Sequence, residues 1–316
     1  MSIPQRRIGP DGPHTGVLSL GSWHTYDRMD FREAVTLLRT AVDAGITLFD
    51  VAVYGFPGSP PVFTDVLFSA MVRAAGLRRE DYLLSAKLWL EGYPAQSLRA
   101  QLENALFRAG VSHADLVILG DLRREDTDLQ ALVADLADLR SAGLIRQWGV
   151  NNWSAPSIRA VHNFALAAGV PGPAIAQLKY SVSRRSIPDG APFAEVFGSL
   201  GVSLQSSDVF EGGVLLGKGG RQVGRDPGDV RQRIADSASE VQKVAASLGA
   251  TPAQLCLAFT LTHPANTTTL FGATSVEQLS DNLAAVALVD RVGAASLRSL
   301  VEPFCADRDA VDTEGP

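Results

Sequence analysis

The chain has 316 residues, 46% hydrophobic and 20% charged, a normal size and composition for a single α/β barrel with a large core. A net charge of -6, from 28 basic against 34 acidic side chains with no Lys/Arg cluster, argues against nucleic acid as the main partner. No apolar run reaches the roughly 18 residues that span a bilayer, and Met1-Ser2-Ile3-Pro4 leads into polar turn residues, not an apolar signal core. The expected setting is therefore the cytoplasm, with Cys256 and Cys305 as reduced thiols at no metal-type spacing.

Residues 7–16 are rich in Gly and Pro and read as a small N-terminal hairpin, followed by a short apolar strand, Val17 to Gly21. Phe31, Ala34, Val35, Leu38 and Val42 keep helical spacing, and Gly45 fits the C-terminal cap. Ile46 to Asp50 is the next strand. The alternation then continues with strands at 82–86, 115–119, 147–150, 174–177, 202–206 and 267–271, separated by amphipathic helices near 62–75, 96–109, 126–142, 154–165 and 191–199. A Gly- and Arg-rich insertion, Gly217–Asp229, precedes helices near 230–248 and 252–262, the second opened by Thr251-Pro252. Further helices are expected near 275–285 and 293–304.

Eight apolar strands alternating with amphipathic helices predict a (β/α)8 barrel. A doubly wound sheet is the runner-up, but no strand is followed by Gly-x-Gly-x-x-Gly. No linker divides residues 1–316, so one domain is expected, with the acidic stretch 304–316 as a loosely held tail.

Gly45–Gly55 ends an apolar strand in Asp50 and then Tyr54. With Leu20-Gly21-Ser22-Trp23, Ser85-Ala86-Lys87, Gly143–Trp153 and Gly272–Asn282, it resembles the aldo-keto reductase family over nearly the whole chain. Lys87-Leu88-Trp89-Leu90 and the Trp153 neighbourhood look most similar to its potassium-channel β-subunit branch. The resemblance implies a catalytic set of Asp50, Tyr54 and Lys87. Tyrosine would give a proton to the substrate oxygen, and lysine and aspartate would lower its pKa. Tyr54 follows Asp50 by four residues where the family usually has five, and Gly120 stands where the family's histidine would be, leaving room there. Of the five histidines only His24 follows a strand at the catalytic end, which makes it the candidate substitute.

The resemblance also implies NADP lying over the barrel mouth. Ser22, Trp23, Asn151, Asn152 and Gln177 match its nicotinamide end, and Thr274, Gln278, Asp281 and Asn282 its adenine end, with Lys218 as a point charge for phosphate. In between, Ser207 replaces the aromatic residue that stacks on nicotinamide. Asp208 and Glu211 place two carboxylates where the pyrophosphate would lie, each repelling it by about 1 kcal/mol or more. Two enzymatic readings remain open. One is an NADPH-dependent reductase of a carbonyl, enone or imine in a small or medium metabolite; the other is a cofactor-independent lyase, dehydratase, isomerase or cyclase on the same barrel. A third, a partner subunit like the channel β-subunits, finds no long N-terminal segment or basic docking face. No metal is expected. The substrate loops 54–63, 88–93, 121–125 and 217–229 name no ligand, though Trp23, Trp89, Trp153 and Phe210 suggest an aromatic-lined mouth. Oligomeric state is not legible.

Overall fold

The structure, a computed structural model, describes residues 2–55, 60–219, 223–224 and 226–316. Residues 56–59, 220–222 and 225, parts of two expected substrate loops, lie outside the described residues. An antiparallel hairpin of β1 (Gln5–Arg7) and β2 (His14–Gly16) opens the chain. The following strands are β3 (Leu18–Gly21), β4 (Leu48–Val51), β5 (Val53–Tyr54), β6 (Val62–Phe63), β7 (Leu83–Leu88) and β8 (Ala114–Leu119). The set ends with β9 (Ile145–Asn151), β10 (Ile175–Lys179), β11 (Ser203–Ser207) and β12 (Asn266–Phe271). Between them run helices α1 (Phe31–Asp43), α2 (Thr64–Ala75), α3 (Leu98–Ala109), α4 (Leu129–Ser141), α5 (Ala155–Ala168) and α6 (Ala191–Gly198). After β11 come α7 (Val230–Ser247) and α8 (Pro252–Leu261), and after β12 come α9 (Val276–Leu283), α10 (Ala285–Val292) and α11 (Ala294–Val301).

Eight strands close in the order β10-β11-β12-β3-β4-β7-β8-β9 with parallel neighbours, a (β/α)8 barrel with an N-terminal hairpin and extra C-terminal helices. Local chemistry sets the helix starts. Asp30 caps α1 by accepting from Arg32 N and Glu33 N, and Ser154 caps α5. Thr251 and Gln254 form a reciprocal capping box at α8, with Pro252 in the first turn. Gly110 ends α3 at φ 71°, a left-handed position that costs glycine little.

Alternate strand residues divide the interior into two chemistries. At the base, Leu48, Leu116, Ile118 and Ile175 pack with Ile8 from the hairpin turn, an apolar plug. Above it the inward positions turn polar: Asp50, Ser85, Lys87, Gln177 and Gln205 share the register that faces the axis. The plug keeps the barrel closed below, and chemistry is confined to the C-terminal mouth.

Two sequence expectations change. Tyr54 is not a simple loop residue. It sits on β5, which pairs with β6 as a two-stranded ladder placing Tyr54 opposite Val62. The stretch 304–316, expected to be loose, is tied down: buried Asp307 accepts from Arg185 N, Ser186 N and Ser186 Oγ, and Glu314 O accepts from Ala155 N at 2.7 Å. Its acidity, which suggested solvation, serves instead to satisfy buried donors.

Candidate active site

Asp50 is next to last on β4 and Lys87 next to last on β7, strands that neighbour each other in the barrel. Their side chains are 2% and 8% exposed, and Lys87 Nζ lies 3.6 Å from Asp50 Oδ2. Ser85 Oγ donates to Asp50 Oδ1 at 2.9 Å, so each carboxylate oxygen has a partner. The Lys87 ammonium also donates to Gln177 Oε1 at 2.8 Å. A buried ion pair persists only with such added hydrogen bonds, because desolvation otherwise exceeds the attraction.

Tyr54 joins this pair from the rim. Its ring is half-buried and stacks with Trp23 at 5.7 Å, and it meets the edge of Trp89 at 6.3 Å. Its hydroxyl is deep, hydrogen-bonded to Ser22. Burial, and then the Asp50 carboxylate, push the phenol well above its ordinary value, with Ser22 pulling the other way. The resemblance implied a lowered phenol. In this geometry the tyrosine instead holds its proton firmly through neutral pH, the form a proton donor needs. Tyr26, a second phenol near Asp50, packs on Phe68 from α2 and belongs to the outer core.

The room expected at Gly120 is filled. A Cβ there would come 2.8 Å from Trp89 Cε3. Trp89 Nε1 donates to Val53 O at 3.2 Å, and Gln101 clamps the Trp89 backbone through both its N–H and its carbonyl. Glycine at 120 therefore admits an indole and leaves no cavity. Trp153, fully buried, donates its Nε1–H to Gly120 O at 2.8 Å beneath. His24 lies on the rim at a left-handed backbone position, φ 57°. It stacks on Trp23 at 4.9 Å with Nδ1 3.0 Å from Arg28, which makes it part of the rim wall.

The two acids of the pyrophosphate stretch part ways. Glu211 is 4% exposed and turned inward, accepting from Ser181 Oγ at 2.7 Å and from Arg184 Nε and a terminal guanidinium nitrogen at 3.2 and 3.1 Å. Burial pushes its carboxyl up, and Arg184 opposes that. Arg184 also pairs with Asp226, fastening the segment after β11 to the loop after β10. Asp208 takes a φ of 52° directly after Ser207, which ends β11. Lys179, at the mouth end of β10, lies close against Gly224, which takes a left-handed φ of 74°. Sequence reading missed Lys179, Arg184 and Trp89 in these roles. The strand-end positions of Lys179 and Trp89 hinted at them, while Arg184, on a loop, carried no such signal.

At the expected nicotinamide end, Asn151 Nδ2 donates to Asp121 Oδ1 at 2.6 Å and Asn152 Nδ2 does so at 3.4 Å. Gln177 lies beneath them, committed to Lys87 and Gln205. At the expected adenine end, Thr274 and Gln278 are bonded to each other at the exposed start of α9, and Asn282 is buried. Asp281 faces the other way, accepting from Thr251 Oγ1 and Gln254 Nε2. Lys218 is exposed on the insertion. Among the described residues, no group of three metal-type side chains comes together, and no single helix is long and apolar enough to cross a membrane.

Residues 17–295 match the Aldo/keto reductase family. The chain belongs to that family. A Schizosaccharomyces pombe protein is similar at 26% identity over 95% of this chain and 93% of its own length. Proteins of Oryza sativa subsp. japonica and Arabidopsis thaliana are 25% and 24% identical, each over 90% of this chain and 91% of their own length. All three carry the provisional name voltage-gated potassium channel subunit beta, the branch that the Trp89 and Trp153 stretches resemble. Family membership supports oxidoreductase chemistry of the aldo-keto reductase kind. The cofactor-independent alternative is not favoured, because two of its motives are gone: Trp89 fills the space at Gly120, and Glu211 is withdrawn into an ion pair.

Proposed function

We propose that this aldo-keto reductase uses NADPH to reduce a carbonyl, enone or imine of a small or medium metabolite. The observation that carries the reading is the buried Asp50–Lys87 pair, with the Tyr54 hydroxyl beside it at the barrel mouth. The donor set fits the dinucleotide at both ends. Asn151 and Asn152 present amides to a carboxamide, and Thr274, Gln278 and Asn282 line the adenine end. Toward the middle, Glu211 is withdrawn into its pair with Arg184, while Lys179 ends β10 and Lys218 is exposed on the insertion. When bound, NADPH supplies a hydride.

Tyr54 donates its phenolic proton to the substrate oxygen or nitrogen. The Lys87 ammonium, held by Asp50 and Gln177, supplies positive charge for the phenolate left behind, and Ser85 anchors the Asp50 carboxylate. Trp23 and Trp89 flank the phenol with apolar faces that exclude water from the transfer and favour a flat or apolar substrate. The setting proposed is cytoplasmic, where NADPH is supplied.

Titration with NADPH, read by cofactor fluorescence, tests this directly. Saturable binding is expected, and consumption of NADPH in the presence of an aromatic aldehyde. No binding at millimolar cofactor would sink the reading.

A further inference from the structure

Lys87 donates to Gln177 Oε1 at 2.8 Å, and Gln177 Nε2 donates to Gln205 Oε1 at 2.8 Å. An ammonium carries donors and no acceptor, so Gln177 must turn its oxygen to Lys87. That choice turns its nitrogen to Gln205, which must answer with its own oxygen. Both amide dipoles then point their negative ends toward the ammonium, and each hydrogen bond polarises the next. Gln177 and Gln205 are 1% and 0% exposed and sit side by side on β10 and β11.

The chain of donors has an open end. Gln205 Nε2 finds no hydrogen-bond partner among the described residues, nor do Thr268 Oγ1 and Ser19 Oγ. All three residues are fully buried. Thr268 is paired directly opposite Gln205, and Ser19 lies on the next strand, opposite Leu270. Leaving such a group bare is unfavourable, and a buried water needs about 2–4 polar partners of this kind.

We propose that Gln205 is a positioning residue for Lys87, acting through Gln177, and that the relay ends on an internal water held by Gln205, Thr268 and Ser19. This rests on the reading that Lys87 serves the reaction, but its test needs neither cofactor nor turnover. The relay holds the ammonium between Asp50 and Gln177 and fixes where it stands before substrate arrives. It also gives Gln205, beneath the mouth and out of substrate's reach, a function that its position alone does not suggest.

The chain has four lysines, Lys87, Lys179, Lys218 and Lys243, so protein labelled with 15N-lysine gives a simple ammonium spectrum. A slowly exchanging signal that vanishes in Lys87→Met is expected from the wild-type protein. Gln205→Met, similar in length but without the acceptor, should broaden that signal beyond detection, while Gln205→Glu, which keeps an acceptor for Gln177, should retain it. An unchanged signal in Gln205→Met, equal loss in Gln205→Glu, or no Lys87 signal in the wild type would overturn the proposal. Should Gln205→Met not fold, a wild-type crystal structure better than about 1.2 Å, where hydrogens show, decides: Gln177 turned with its nitrogen to Lys87, or no water against Gln205, overturns it. Failed NADPH binding would leave the lysine signal standing, and a failed lysine test would leave NADPH binding standing.

Discussion

Lys87 stands at the centre of the proposed residue-scale chemistry, because it touches both Asp50 and Gln177. Lys87→Met should abolish turnover while leaving the circular dichroism spectrum unchanged, since a methionine fills the same channel. Wild-type rates in that variant would place the chemistry elsewhere. Tyr54→Phe removes only the phenolic oxygen. General acid catalysis typically contributes about 10²–10⁴-fold, so kcat should fall by about that factor with cofactor affinity unchanged. A near-silent Tyr54→Phe would show that the proton comes from another group. Gly120 illustrates what sequence hides at this scale: a missing side chain reads as space, and only the fold shows that Trp89, 31 positions earlier, occupies it.

Among the elements, the segment after β11 departs most from the family's pattern. Two acids next to the proposed pyrophosphate path look like a defect until Arg184, on the loop after β10, is seen to pair with Glu211 and with Asp226 as well. Removing one partner of such a buried pair strands the other charge and costs about 3–5 kcal/mol. Arg184→Ala should therefore lower the thermal midpoint markedly. Adding Glu211→Gln should recover part of the loss, because a neutral amide tolerates the buried site. Simple additivity of the two losses in thermal melts would contradict the pairing. The spacing of acids was visible in sequence, whereas their direction depended on a residue from another loop. The short β5–β6 ladder makes the same point. A tyrosine one residue early keeps its hydroxyl by Ser22 because pairing with Val62 and stacking on Trp23 aim it there.

For the molecule as a whole, stability is shared with the C-terminal stretch. Asp307→Ala strands the Arg185 and Ser186 amides, at about 1–3 kcal/mol for each buried donor left bare, and should lower the urea midpoint without changing NADPH affinity. Acid should act through His263. Burial holds its imidazole below the ordinary 6.5, against the pull of Asp189. Above that pH the ring is neutral both folded and unfolded. As pH falls through it, the unfolded chain takes up a proton that the folded chain resists, so stability drops toward acid. His263→Gln should flatten this part of the curve of stability against pH, measured by denaturant titration.

What the sequence determined by itself was the architecture and the Asp50–Lys87 pair. Apolar strand runs, helical spacing and cap residues are local signals, and barrel closure follows from their alternation; Asp50 and Lys87 stood out by the family resemblance and their places near strand ends. The direction of Tyr54, the fate of the Gly120 space, the inward turn of Glu211 and the Lys87–Gln177–Gln205 chain were decided only by tertiary structure. Each depends on side chains from different strands and loops meeting at one depth of the barrel, and contact between distant segments leaves no periodic trace in a single sequence.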